Sequence, residues 1–414
     1  MNRIARFKWF VCGLLFLAVT CLYLDRQALS ILAPQLSRER GWSETDYGNM
    51  VAAYQFAYAA GVFAAGWVID RLGSRFGFAL YVALWSLVIF AHGWAASVAS
   101  FIAVRFALGL TQAGCFPCAI KATAEWFPKH ERALATGLFN TGSMVGPILA
   151  PLVILRLYAG GGWQTTCAVL AGAGALWSAA WFASYRTPPA SACPSSGSDN
   201  QRSDAPMPLS ELVRYRATWA FFFGKLLSDP VWWFFLYWLP KFLHDKHGVS
   251  LTQLGAPLVT IYSIAIAGSV GAGWLTALLI RRGMTVRNAR KTAMLVCALL
   301  PVPVLLAATT PHVWLAVVLI GLATAGHSGW MANLFSLVSD AFPQRAVASV
   351  TGIGTMAGAL GGILVARFAG WILDTTGSYW PLFVMSACAY LAAWTVIQLL
   401  LPKPLTSGGD LRSL

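Results

Sequence analysis

A few side chains in this sequence could do chemistry, and they stand inside runs that are otherwise apolar. The first cluster is Tyr23-Leu24-Asp25-Arg26. On a helix, Tyr23 and Arg26 share a face, because residues three apart are neighbours. The planar guanidinium of Arg26 suits two-point capture of a carboxylate. Asp25, turned about 100° away, either holds Arg26 or titrates; a structural ion pair is the bland alternative. Tyr54, Gln55 and Tyr58 form an aromatic and polar stripe at helical spacing. Arg105 and Gln112 lie two turns apart on one face, with Arg105 either a second anion contact or a partner for Asp25. Lys121 and Glu125, four apart, read as a gate pair. Lys225, Asp229, Trp233 and Tyr237 recur every four residues, in a run that also carries Pro230 and Pro240. The two prolines remove backbone hydrogen bonds and should loosen or kink that helix. His327, Ser328, Trp330 and Asn333 put polar groups at mid-helix, and Asn140 and Ser143 flank Gly142. A lone His327 reads more simply as a packed histidine than as a proton carrier. Together these groups suit an anion that also offers hydroxyls and C–H faces to aromatic rings.

The elements that position them follow from composition. Of 414 residues, 58% are hydrophobic and 11% charged, against about 25% charged in soluble domains. Mean hydropathy is +0.64. So few charges cannot coat a soluble protein of this size without large exposed apolar patches. Lipid must therefore be the solvent for most of the chain, which excludes soluble enzymes and disordered proteins. The eight cysteines (12, 21, 115, 118, 167, 193, 297, 388) fall mostly in apolar runs and read as small packing residues. Cys115-Phe-Pro-Cys118 has redox spacing, but on an apolar helix. His244-x-x-His247 is the one histidine pair with ligand-like spacing, so no metal and no cofactor are expected.

A crossing needs about 20 apolar residues, and cutting at charges and Gly/Pro turns gives twelve: 9–33, 48–70, 76–97, 101–124, 132–155, 163–185, 218–242, 254–280, 289–309, 312–338, 348–372 and 379–401. The first carries no cleavage signal and reads as a retained span. The stretch 188–216, rich in Pro, Ser, Gly and Asp, is a linker between bundles 1–187 and 217–414, and its end at 209–216 reads as a short surface helix. The net charge of +14 (29 Lys+Arg, 15 Asp+Glu) concentrates in alternate loops and both tails. By the positive-inside rule those loops and both termini are cytoplasmic, so the charge marks orientation rather than nucleic-acid binding. The halves also repeat: Glu125-Trp-Phe-Pro128 recurs as Asp340-Ala-Phe-Pro343, with Gly137 on Gly352 and Gly146 on Gly361 at the same offset.

Gly66-Trp-Val-Ile-Asp70-Arg71-Leu-Gly73-Ser-Arg75 resembles the major facilitator loop signature G-x-x-x-D-R-x-G-x-R at every defined position. Asp70, Arg71, Arg75, Glu125 and Asp340 are accordingly expected at gates and inner loops. Tyr-x-Asp-Arg-Gln at 23–27, Lys225-Leu-Leu-Ser-Asp-Pro-Val-Trp-Trp233 and Gly329-Trp-Met-Ala-Asn-Leu-Phe335 resemble the hexuronate transporters of the anion:cation symporter branch. That resemblance implies an all-α membrane protein with twelve transmembrane helices in two pseudo-symmetric six-helix bundles, working as a monomer in a bacterial inner membrane. It implies proton-driven import of galacturonate or glucuronate, with galactonate, glucarate or a small aromatic acid as alternatives. Arg26 matches the arginine that binds the substrate carboxylate, Asp25 its proton-coupling neighbour, Tyr23 and Tyr58 sugar-site tyrosines, and Asn333 a polar contact. Tyr54, Asn140, Ser143, Lys225, Trp233, Tyr237 and Trp330 complete the expected substrate contacts, and Arg105 and Gln112 the coupling group. Gln112 departs from the family pattern, which places an acidic residue there.

Overall fold

Helices account for nearly all of the computed structural model, which describes residues 3–186, 207, 209–342 and 344–401. Of the expected linker, 188–206 and 208 lie outside the described residues. The helices are α1 (Arg3–Arg40), α2 (Glu44–His92), α3 (Val98–Gln112), α4 (Cys115–Trp126), α5 (Lys129–Asn140), α6 (Gly142–Ser184), α7 (Leu209–Leu212), α8 (Arg216–His247), α9 (Gly255–Arg281), α10 (Val286–Leu299), α11 (Val313–Ala341), α12 (Gln344–Thr376) and α13 (Trp380–Leu400). The chain divides into two compact units, Met1–Asp199 with Ser250–Gly255, and Asn200–Val249 with Ala256–Leu414.

Local chemistry sets the breaks. Ser43 starts α2 by accepting from the Asp46 amide at 3.0 Å while the Asp46 carboxylate accepts from the Ser43 amide. This reciprocal cap satisfies two donors that a helix start leaves without partners. Gly73 (φ 74°) interrupts α2 inside the Asp-Arg loop, a backbone region that disfavours residues with a side chain. Gly162 (φ 72°) interrupts α6 in the same way, next to an extended Gly161. Gly248, left-handed at φ 64°, closes α8.

Among the described residues, nine helical stretches are long and apolar enough to cross a membrane. One of them, Leu134–Ser184, has 51 residues, more than twice what one crossing needs, and contains the Gly161–Gly162 break. The stretch α8 is not among the nine, since its prolines, aromatics, Lys225 and Asp229 depress its hydropathy. The span expected at 289–309 is among the nine as Val286–Ala308; its α-helix ends at Leu299 and it continues as a 3₁₀ turn over Val302–Ala308, because Pro301 and Pro303 have no amide to donate. Helix α8 runs unbroken from Arg216 to His247 with Pro230 and Pro240 inside it.

In the first unit α1 packs on α6, and α2 on α3 and α6; in the second, α8 packs on α12 and α13. Lipid tails are as apolar as leucine, so this packing rests on close van der Waals fit. A β-carbon at Gly146 would sit 2.7 Å from the Thr20 carbonyl oxygen and the Tyr23 Cβ. One at Gly361 would sit 2.8 Å from the Leu226 carbonyl oxygen and the Pro230 ring. These are the glycines that the repeat aligns, and each sets its helix directly against one that carries buried charges, α1 with Asp25 and Arg26 or α8 with Lys225 and Asp229.

Candidate functional site

In the first unit, α1 supplies Tyr23, Asp25 and Arg26, α2 supplies Tyr54, Gln55 and Tyr58, and α3 supplies Arg105 and Gln112. The guanidinium carbon of Arg26 lies 4.9, 5.4 and 4.5 Å from the ring centres of Tyr23, Tyr54 and Tyr58. All three fall within cation–π reach. Tyr54 and Tyr58 stack, with centroids 6.1 Å apart. The Tyr54 hydroxyl donates to Gln112 Oε1 at 2.7 Å, and Arg26 Nε reaches the same oxygen at 3.5 Å. Arg26 is thus a buried guanidinium flanked by three rings and an amide oxygen. Arg105 faces Tyr54 from 5.0 Å, and its Nε and Nη2 are buried without a hydrogen-bond partner. Asp25 forms no ion pair within 4 Å among the described residues; it borders a small cavity with Arg105 and His92. Asn140 is exposed, and Ser143 is half-buried with its hydroxyl donating to the Asn140 carbonyl at 2.7 Å. Neither hydrogen-bonds to the arginine–tyrosine cluster.

In the second unit, Lys225 and Asp229 form an ion pair at 2.6 Å with side chains 8% and 11% exposed. Lys225 also faces the Phe335 ring at 5.3 Å. Trp233 and Tyr237 stack at 6.0 Å and 15°, which presents parallel ring faces at helical spacing. Trp330 is fully buried against Tyr390, and its indole N–H has no hydrogen-bond partner among the described residues. Asn333 is engaged at both ends: its Nδ2 donates to the Gly329 carbonyl at 3.1 Å, and its Oδ1 accepts from Thr276 at 2.8 Å. It ties α9 to α11. His327 bonds to the Tyr390 hydroxyl at 2.7 Å and stacks on Trp232 at 5.0 Å, the packed arrangement.

At the Asp-Arg loop, Lys121 pairs with Asp70 at 2.8 Å and also donates to the Ile69 carbonyl at 3.1 Å. The expected pairing of Lys121 with Glu125 is thus corrected. The end of the α2 segment before Gly73 offers Lys121 a free carbonyl and a carboxylate together, favourable for a cation at a helix C-terminus. Glu125 instead accepts from Ser74 at 2.7 Å and from the Tyr185 hydroxyl. Arg71 covers Trp67 at 3.7 Å, while Arg75 donates to the Phe182 carbonyl at 3.0 Å. The side chain of Asp340 lies outside the described residues. Sequence reasoning missed Ser74, though it stands inside the loop signature, and Tyr185, which no local pattern marks. It also missed His92, whose signal was a histidine at the end of an apolar run. No group of three or more His, Cys, Asp or Glu among the described residues could hold a metal.

Helices and buried charges together define a multi-pass, all-α membrane protein. Residues 15–366 match the Major Facilitator Superfamily, and the chain belongs to it. It is a membrane transporter, not an enzyme. A hexuronate transporter of Escherichia coli (strain K12) is 28% identical over 414 residues, covering 96% of each chain. A D-galactonate transporter of Escherichia coli O6:H1 is 28% identical over 412 residues, covering 95% of this chain and 96% of its own. A bacterial homologue of the human lysosomal transporter Spinster, crystallised inward-facing and unoccupied, superposes with a TM-score of 0.77 at 18% identity, covering 97% of this chain and 96% of that one. That likeness shows the major facilitator fold.

Proposed function

We propose that this chain imports hexuronates such as galacturonate and glucuronate by proton symport with alternating access, as a monomer in a bacterial inner membrane with both termini cytoplasmic. The observation that carries the reading is Arg26, buried and faced by the rings of Tyr23, Tyr54 and Tyr58. A guanidinium so placed can hold both oxygens of a carboxylate. Tyr23, Tyr54 and Tyr58 supply hydroxyls for the sugar. In the second unit, the stacked Trp233 and Tyr237 and the indole of Trp330 suit the C–H faces and hydroxyls of a pyranose. Lys225, Asn140, Ser143 and Asn333 are proposed in supporting roles, and Asp25, Arg105 and Gln112 as the coupling group. The names of the relatives, which include hexuronate and galactonate transporters, support a sugar acid and leave an aldonate as the second reading.

Competition tests the reading. Unlabelled glucuronate should displace labelled galacturonate from the reconstituted protein, whereas glucose should not, because it would leave Arg26 without its anion. Equal competition by glucose would reject the sugar-acid assignment, and displacement by galactonate but not glucuronate would favour the second reading.

A further inference from the structure

One buried polar cluster has no role in holding the sugar. His92 is the last residue of α2 and is 3% exposed. Its Nδ1 lies 3.3 Å from the Val88 carbonyl oxygen. A carbonyl can only accept, so Nδ1 carries the proton and Nε2 presents a bare lone pair. That Nε2 is buried without a hydrogen-bond partner. The Trp163 indole donates to the His92 carbonyl at 2.8 Å and pins the helix end. His92 therefore cannot relieve Nε2 by small shifts of the backbone.

The same cavity is bordered by Asp25 from α1, Arg105 from α3, and Cys167 with Trp163 from α6. It measures about 10 Å³, close to the least volume that holds one water. Arg105 Nε and Nη2 are buried donors without partners. Asp25, 6% exposed, has no ion pair within 4 Å among the described residues. Leaving such groups unmet in a buried site is costly, most of all for charged ones. A single water in this cavity could accept from Arg105 and donate to His92 Nε2 and to the Asp25 carboxylate. Farther out, Arg40 covers Phe101, the ring that touches His92. Among the described residues that line this cavity with His92, Asp25 and Cys167 are the ones that could hold or lose a proton, and a thiol is the weaker acid by several units.

We infer that His92 and Asp25 together form a water-bridged proton site, with His92 as its entry and Arg105 as the fixed cation that balances the Asp25 carboxylate. An arriving proton binds His92 Nε2, breaking no covalent bond. The bridging water then passes a proton to the Asp25 carboxylate, forming its O–H bond and returning the imidazole to neutral. The net change is one proton gained by the cluster. This inference rests on the proton-symport reading, and it supplies a titratable partner that Gln112 cannot.

In proteoliposomes, H92Q should lose at least tenfold of its pH-gradient-driven galacturonate accumulation. Exchange of labelled for unlabelled galacturonate at equal pH should fall less than threefold. The uptake pH profile should shift by about one pH unit. An H92Q protein that accumulates as wild type with an unshifted profile overturns the site. A substrate-free measurement separates this from failure of the transport reading. The melting temperature of the detergent-solubilised protein, taken from pH 5 to 8, should show a pH-dependent component that H92Q and D25N each remove. The double variant should remove no more. Additive losses, or a wild-type profile in H92Q, would reject the shared proton even if wild type proves to carry another substrate.

Discussion

Helices α1 and α8 hold equivalent places against the glycines that the internal repeat aligns, yet their charges are handled in opposite ways. On α8, Lys225 meets Asp229 at 2.6 Å one helical turn away. On α1, the neighbours of Arg26 include three tyrosine rings and an amide oxygen. The first arrangement closes a charge with its own helix. The second sets a cation against ring faces and the Gln112 amide, the setting proposed above for an anion receptor. The difference teaches that pseudo-symmetry preserves the backbone contact while the side chains divide the work.

Breaking the α8 pair should have the largest effect. Asp229→Asn leaves Lys225 charged and buried without its carboxylate, which costs about 3–5 kcal/mol. Thermal unfolding in detergent should show a large drop in melting temperature. Lys225→Met with Asp229→Leu should recover most of it, since apolar replacement of a whole buried pair is often neutral. A normal melting temperature for the single variant would mean that the pair is solvated.

On α1 the expected loss is functional. Arg26→Lys keeps the charge but removes the planar fork, and transport should fall at least a hundredfold at equal membrane expression. Transport within twofold of wild type would remove Arg26 from the site.

The coupling side of the comparison is sharpened at Gln112, which cannot titrate. Gln112→Glu should confer voltage dependence if that position sets the proton stoichiometry. One net charge moved gains about 2.3 kcal/mol per 100 mV, about fiftyfold in accumulation. No gain under an imposed potential would place stoichiometry elsewhere.

Tyr54→Phe is the mildest change. It deletes the hydroxyl that donates to Gln112 and leaves the ring beside Arg26. One buried hydrogen bond is worth about 1 kcal/mol, so substrate affinity should weaken roughly fivefold, read as KM.

Much of this was legible in sequence where the partners are local. The three-residue spacing of Tyr23 and Arg26 puts ring and guanidinium together, and the four-residue spacing of Lys225 and Asp229 gives the ion pair. Helical periodicity carries such contacts directly. What escaped depends on partners far along the chain. Asn333 is taken by Thr276, and His327 by Tyr390. Lys121 has a carboxylate four residues on, yet it turns to Asp70, where a helix-end carbonyl adds a second acceptor. His92 drew notice only as one of six histidines, because nothing beside it in sequence reveals Asp25 and Arg105 around its cavity.

The central claim, a proton-driven sugar-acid carrier with Arg26 as anion receptor, is tested most directly by galacturonate uptake into proteoliposomes. A hexuronate anion moving with one proton carries no net charge, so the membrane potential does no work on it. An inward pH gradient at clamped potential should drive accumulation. A valinomycin-imposed potential without a pH gradient should change uptake by less than twofold. Strong accumulation under potential alone, or none under the pH gradient, would contradict the account.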